Sequence, residues 1–250
     1  MKYVVDSENL TAIADAIRAK TGKSASLTLA QMPTEIESIE SGSSSDTSIS
    51  KLALLASGQP FALTAKDLEG AEIVVEEAFY AAFLTEVTIP SSVKEIADYA
   101  FSDGAVLKKV TIREGLTTLG HGAFAYCELL EEVNLPASLT AGNSAFQYCT
   151  SLSKVTLNEG ISVIDQYMFF GCTALTEIHF PKSITHIKTN AFSNCDSMQV
   201  YDFSQHESIP TLDLYLAIPD GCEIRVPASL YSRWKASTNW STYAANIVSV

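Results

Sequence analysis

The side chains able to do chemistry in this sequence are few, and their spacing is informative. The chain has 5 cysteines, 4 histidines and 29 acidic residues. Cys127, Cys149, Cys172 and Cys195 each stand three residues after a phenylalanine, so they share one structural column, while Cys222 lies apart. Zinc sites pair their ligands closely, as in C-x₂-C, and no such pair occurs here. A buried free cysteine packs as a small hydrophobe, and Gly104 occupies the first position of the same column, which points to a size constraint. Disulfides between neighbouring members would need a Cβ geometry that register alone does not supply. His121, His179, His186 and His206 fall at unrelated positions, and no H-E-x-x-H, G-x-S-x-G, phosphate-cradling glycine loop or calcium loop is present. Acid pairs such as Glu76-Glu77 and Glu131-Glu132 are adjacent residues, which point apart on a strand. No catalytic residue, metal ligand or cofactor is therefore assigned, and a non-enzymatic protein is expected.

The elements that position these residues repeat. Segments beginning LTEVTIPSSVKEIADYAF, LKKVTIREGLTTLGHGAF, LEEVNLPASLTAGNSAF, LSKVTLNEGISVIDQYMF and LTEIHFPKSITHIKTNAF bring Phe101, Phe124, Phe146, Phe169 and Phe192 into register at intervals of 23, 22, 23 and 23 residues. Phe79 heads a degenerate first coil, and MQVYDFS from Met198 is read as a last strand on the same template. The one-residue shortening between Leu139 and Phe146 is expected to be a local loop adjustment. In each unit L-x-x-V-x-I/L reads as a short strand with its apolar side chains inward, as at Leu84, Val87 and Ile89. One such strand cannot bury its own face. Stacked as parallel coils the rows become a continuous core, closed by the second half of each unit (Val93, Ile96, Phe101; Leu116, Leu119, Phe124).

Outward positions are equally regular. Glu86, Lys109, Glu132, Lys154 and Glu177 alternate in sign, which is mildly favourable on strands ~4.8 Å apart and reads as structural rather than as a ligand stripe. Pro90, Arg113, Pro136, Asn158 and Pro181 alternate too, with Glu114-Gly115 and Glu159-Gly160 following the non-proline members, so the true unit is a pair of coils. The strand-face residues Thr88, Thr111, Asn134, Thr156, His179 and Asp202 form a wettable row, the candidate binding face.

The flanks differ. Leu10, Ile13, Ala14 and Ile17 share a helical face, Asn9 is a cap and Gly22 a stop, and a second helix is predicted near 30–39 through Met32, Ile36 and Ile39. Residues 1–40 are thus a small helical head, 41–50 a serine-rich linker, 51–204 the solenoid with an irregular N-terminal cap at 51–78, and 205–250 a C-terminal helical cap. The tail is expected to leave the period, offering a strand at Glu223–Val226 and then a helix starting near Pro227, with Trp234 and Trp240 covering the last coil rather than offering a carbohydrate platform.

Composition narrows the partners. A net charge of −13 opposes nucleic acid and anionic bilayers, and nine of those excess charges fall within residues 51–204. No apolar run approaches the ~20 residues of a membrane span, and the N-terminus lacks the pattern of an export signal.

The repeat L-x-x-V-x-I-P-x-S-V-x-x-I-x-x-x-A-F, followed by Cys and the next Leu, resembles the BspA-like leucine-rich repeats over roughly residues 70–204. The resemblance implies an α+β repeat fold, a right-handed, gently curved solenoid with a parallel β-sheet on one face, in a family associated with surface adhesion and protein binding. The stretch NLTAIADAIRAKTGKSASLTLAQMPTEIESI is similar to a module that opens many tail and baseplate-associated proteins of phages and prophages. Together the two imply a virion tail protein of the receptor-binding or tail-tip type, its residues 1–40 docking on other tail or baseplate proteins and its solenoid binding a host-surface protein or glycan. A homo-oligomer, trimeric by the same resemblance, is implied. The alternative is a bacterial cell-surface adhesin of the same repeat family.

Overall fold

The computed structural model describes residues 59–250; the predicted head, the linker and the start of the solenoid lie outside them. One strand per coil builds a parallel front ladder. Phe61–Leu63, Leu84–Ile89, Lys109–Ile112, Glu132–Leu135 and Lys154–Leu157 form a five-stranded sheet, and Glu177–His179, Val200–Asp202, Glu223–Val226 and Ile247–Ser249 a four-stranded one. Register follows the repeat: Val87 pairs with Val110, Val110 with Val133, and Val133 with Val155. A second, two-residue strand in most coils makes two small parallel sheets on another wall, one through Ile73–Val74, Glu95–Ile96 and Thr118–Leu119, the other through Val163–Ile164, His186–Ile187 and Thr211–Leu212. They are separated at the shortened coil, where only an isolated bridge, Thr118 to Ala141, survives. Losing one residue there costs that coil its second strand.

Between the walls lies the aromatic ladder. Phe79, Phe101, Phe124, Phe146, Phe169 and Phe192 stack face to face, with centroids 5.0 to 5.7 Å apart and interplanar angles of 2° to 15°. The chain reaches each phenylalanine through a tight bend, with residues two before and two after it in the left-handed region: Tyr99 and Asp103 around Phe101, Ser144 and Tyr148 around Phe146, Asn190 and Asn194 around Phe192. Non-glycine residues pay for that conformation, and the buried ring they bracket is what holds them there.

The paired-coil unit has a hydrogen-bond cause. Where a Glu-Gly coil precedes a Pro-x-Ser coil, the Gly115 N–H donates to Ser138 Oγ (3.1 Å), which donates to the Leu116 carbonyl (2.7 Å), while Glu114 accepts from the Ala137 N–H (3.1 Å). The set recurs one unit later, with Gly160 donating to Ser183 (3.0 Å), Ser183 to the Ile161 carbonyl (2.7 Å), and Glu159 accepting from the Lys182 N–H (3.0 Å). On the other side of each Glu-Gly coil only glycine fits. Gly160 has φ +119°, and a Cβ there would lie 2.9 Å from the Ala137 carbonyl oxygen. Ser92 occupies the same place in the first unit, yet its hydroxyl is buried without a partner. Ser183→Ala is therefore expected to lose about 1–2 kcal/mol, whereas Ser92→Ala costs nothing measurable, by parallel chemical denaturation.

Two boundaries move. Residues 61–78 are not an irregular cap: Phe61 pairs with Leu84 and Ile73 with Glu95, so they are a full first coil. Nor does the ladder end at Asp202 or the tail leave the period. Val200 pairs with Glu223 and Ile224 with Ile247, and EIRVPASL at 223–230 repeats EVNLPASL at 132–139. Only after Leu230 does the template yield, to a five-residue helix, Tyr231–Lys235, flanked by 3-10 turns at Ala228–Leu230 and Trp240–Tyr243. Trp234 and Trp240 are buried against Phe203, which itself stacks on Phe180 at 4.2 Å. The Trp240 indole N–H donates to the Pro210 carbonyl at 2.8 Å, which ties the end of the chain to the coil it covers.

Candidate functional site

The cysteine column is a structural ladder. Each thiol donates to the carbonyl of a phenylalanine in the previous coil: Cys127 to Phe101, Cys149 to Phe124, Cys172 to Phe146 and Cys195 to Phe169, at 3.2 to 3.3 Å. Gly104 closes the column because a Cβ there would already lie 3.2 Å from Cys127 Sγ. All five thiols are free and buried. Burial pushes Cys127 and Cys195 up to about 12 and Cys222 to about 11, and drives Cys149 and Cys172 well above the ordinary thiol value. A disulfide reagent such as DTNB should titrate none of them in the folded protein and all five in denaturant; rapid labelling of the native state would contradict the ladder.

The histidines are dispersed. His121 Nδ1 meets Asn143 at 3.1 Å and His186 Nε2 meets Asp213 at 2.6 Å, both on the surface, whereas His206 is buried. Asp165 is drawn in two directions: burial raises it, but Lys188 at 2.9 Å and the N–H groups of Gln166 and Gly142 prevail and hold it below the usual carboxylate range. Among the described residues no group of three His, Cys, Asp or Glu side chains is placed to hold a metal ion, and no helix is long and apolar enough to cross a membrane.

What the front sheet offers outward is the polar row. Strand pairing sets Thr88 beside Thr111, Thr111 beside Asn134, and Asn134 beside Thr156. Past the break in the sheet, His179 sits beside Asp202, and the row continues to Arg225. The two halves differ in commitment. No side-chain hydrogen bond within the described residues engages Thr88, Thr111, Asn134 or Thr156. His179 and Asp202 are joined at 2.9 Å, and Asp202 also accepts from the Ser204 N–H at 2.8 Å. Burial acts to raise Asp202, but the Ser204 and His179 contacts outweigh it and keep the carboxyl ionised below its usual range. Arg225, which reading along the chain did not single out, pairs with Glu223 at 2.9 Å; the repeat of EVNLPASL as EIRVPASL was the signal for it.

Beside the row runs the charge column, Glu86 against Lys109, Lys109 against Glu132, and Glu132 against Lys154. Among these four the one ion pair is loose and exposed, Lys154 to Glu132 at 3.7 Å, and contributes at most about 1 kcal/mol. Row and column together line a depression of about 300 Å³ over the central strands, with Lys109, Thr111, Glu132, Asn134, Lys154 and Thr156 on its surface. Such a surface has donors, acceptors and both signs of charge but no nucleophile with an activating base.

Known structures share this architecture. The chain is similar to the leucine-rich repeat protein TpLRR of T. pallidum (24% identity, TM-score 0.57, covering 66% of this chain and 76% of that one). It is also similar to a leucine-rich repeat protein of Eubacterium ventriosum (26% identity, TM-score 0.50, covering 64% of this chain but only 46% of that one). Among curated proteins none matches. The model of the BspA type leucine rich repeat region matches in 6 copies across residues 72–199, more than half of the chain, and on that repeat, with its phenylalanine and cysteine ladders, the protein belongs to the BspA-type leucine-rich repeat family.

Proposed function

We propose that this protein is a bacterial cell-surface adhesin that binds a host-surface protein or glycan through the outward row of its front sheet. The observation that carries the reading is the uncommitted state of Thr88, Thr111, Asn134 and Thr156, polar groups held in register on a rigid sheet and left with no partner of their own. A solenoid presents recognition residues as such a row, each coil adding one outward position to an extended surface. Membership of a family associated with surface adhesion supports the same role. A Thr111→Ala, Asn134→Ala, Thr156→Ala triple variant is expected to fold normally, since these side chains face away from the core, and to lose at least tenfold in binding to intact host cells. Undiminished binding would remove the row from the reading.

The tail-protein reading rests on residues 1–40, with the trimer and the docking on baseplate proteins that it implies. Protease shaving of intact producing cells separates the two: release of solenoid peptides favours the adhesin, and recovery of the chain only in purified virions favours the tail protein.

A further inference from the structure

We infer that the depression over the central strands takes a carboxylate-bearing saccharide, with Lys109 receiving the carboxylate and Thr111, Asn134 and Thr156 the hydroxyls. This rests on the reading of the strand row as the binding face. The argument begins with the two lysines at its rim. Lys154 is engaged by Glu132 at 3.7 Å, but Lys109, between Glu86 and Glu132 in register, forms an ion pair with neither. On a chain of net charge −13, the exposed Lys109 ammonium, with Lys108 and Arg113 near it in sequence, makes this stretch of the front sheet locally basic, and of these three only Lys109 lines the depression. It provides a point charge for one anion, while the acidic solenoid as a whole repels dense polyanions.

The floor excludes other ligands. Val110, Ile112 and Val133 underlie the depression but turn inward, 4%, 7% and 2% exposed, so no apolar pocket is open to anchor a peptide side chain. None of the lining residues is aromatic, so a neutral sugar would find no ring to stack on and would depend on weak hydroxyl contacts alone. Two threonine hydroxyls and an asparagine amide give donors and acceptors spaced by the strands, ~4.8 Å apart, a match for successive hydroxyl or acetamido groups on a sugar. Glu132, paired with Lys154, accepts from a further hydroxyl, and its charge together with that of Glu86 on the other side of Lys109 limits the site to a single carboxylate set on the Lys109 ammonium. A volume of about 300 Å³ is at the small end of ligand sites and suits one or two sugar residues.

The test uses the full chain on an array carrying sialic-acid and uronic-acid oligosaccharides beside the same oligosaccharides with their carboxyl groups reduced to alcohols. Acid forms are expected to be retained at least tenfold better than reduced forms, with the difference shrinking at high salt. Lys109→Gln should abolish the preference, and Lys108→Gln, which removes an equal charge from an exposed neighbour outside the depression, should leave it intact. Equal retention of acid and reduced forms, an unchanged Lys109→Gln variant, or better competition by hexaglutamate than by the acid sugars would each overturn the inference. Loss of host-cell binding in the triple-row variant, with no preference among the sugars, would overturn the saccharide assignment and leave the adhesin reading standing.

Discussion

Replacing Phe146 with alanine is expected to lower the unfolding free energy by about 3–5 kcal/mol, a loss that chemical denaturation would read. Its ring is fully buried and stacks on Phe124 at 5.6 Å and on Phe169 at 5.7 Å, so the cavity left behind has phenylalanine on both sides and no side chain free to fill it. The same residue accepts the Cys172 thiol at its carbonyl and is bracketed by Ser144 and Tyr148, both in the left-handed region. Those two bends are stabilised by the ring they enclose, so truncation releases local strain by unwinding the coil rather than by collapsing neatly. Position in the array decides the rest. Each coil contacts mainly its neighbours, and breaking a middle one uncouples the two halves, which should broaden the transition or split it. Phe79→Ala, at the first rung of the phenylalanine ladder, 6% exposed and among the described residues stacked only on Phe101, is expected to cost distinctly less and to keep a single transition. Equal losses at the two positions would mean that the ladder is not a chain of nearest-neighbour contacts.

The contrast between what was and was not legible in the sequence has a physical basis. A buried column repeats the same side-chain constraint in every coil, so the phenylalanines, the cysteines and the inward strand residues display their period openly. Backbone constraints leave a fainter trace. The left-handed positions are filled by Tyr, Ser, Asp, Asn, Ala and Glu as well as Gly, because the flanking core imposes the conformation whatever the residue, and no single residue type marks them. The tail illustrates the reverse case. Its strand and turn, EIRVPASL, keep the template, but the Ala-Phe and Cys that make a coil recognisable are gone, their space taken by Trp234 and Trp240, so a continuing ladder reads as a departure from it. In the candidate site the row itself could be placed from spacing alone. Which members were already engaged could not, because the bond between His179 and Asp202 depends on side-chain reach across neighbouring coils.

His206→Leu should stabilise the protein, by about 1–2 kcal/mol at neutral pH, and the gain should grow on acidification. The residue fills the place of an aliphatic. Its N–H donates to the carbonyl three residues back, as do those of Val93, Leu139, Ile161 and Ile184, which form the buried row that His206 continues. The ring is 3% exposed and packs edge-on to Phe203 at 5.3 Å and to Trp234 at 6.4 Å, with neither ring nitrogen hydrogen-bonded; the Trp234 indole N–H beside it is also unpartnered. Leucine removes two of these three orphaned polar atoms at similar volume. Burial holds the imidazole below its ordinary value of 6.5, against the smaller opposing pull of the Ser208, Phe180 and Pro181 carbonyls and of Glu159. The sign of the pH effect follows. Above 6.5 the ring is neutral in folded and unfolded chains alike and contributes no pH dependence. As pH falls below that value the unfolded chain takes up a proton that the folded cap resists, and stability is lost until the depressed folded value is passed. His179 and His186, each beside a carboxylate, are common to both proteins and cancel in the comparison. Melting temperatures of wild type and His206→Leu at pH 7.5 and pH 5 should therefore diverge toward acid, with the wild type falling faster. A gap that narrowed at pH 5 would mean that the imidazole is hydrated or paired in solution, and that the cap over the last coil is wetter than its two tryptophans imply.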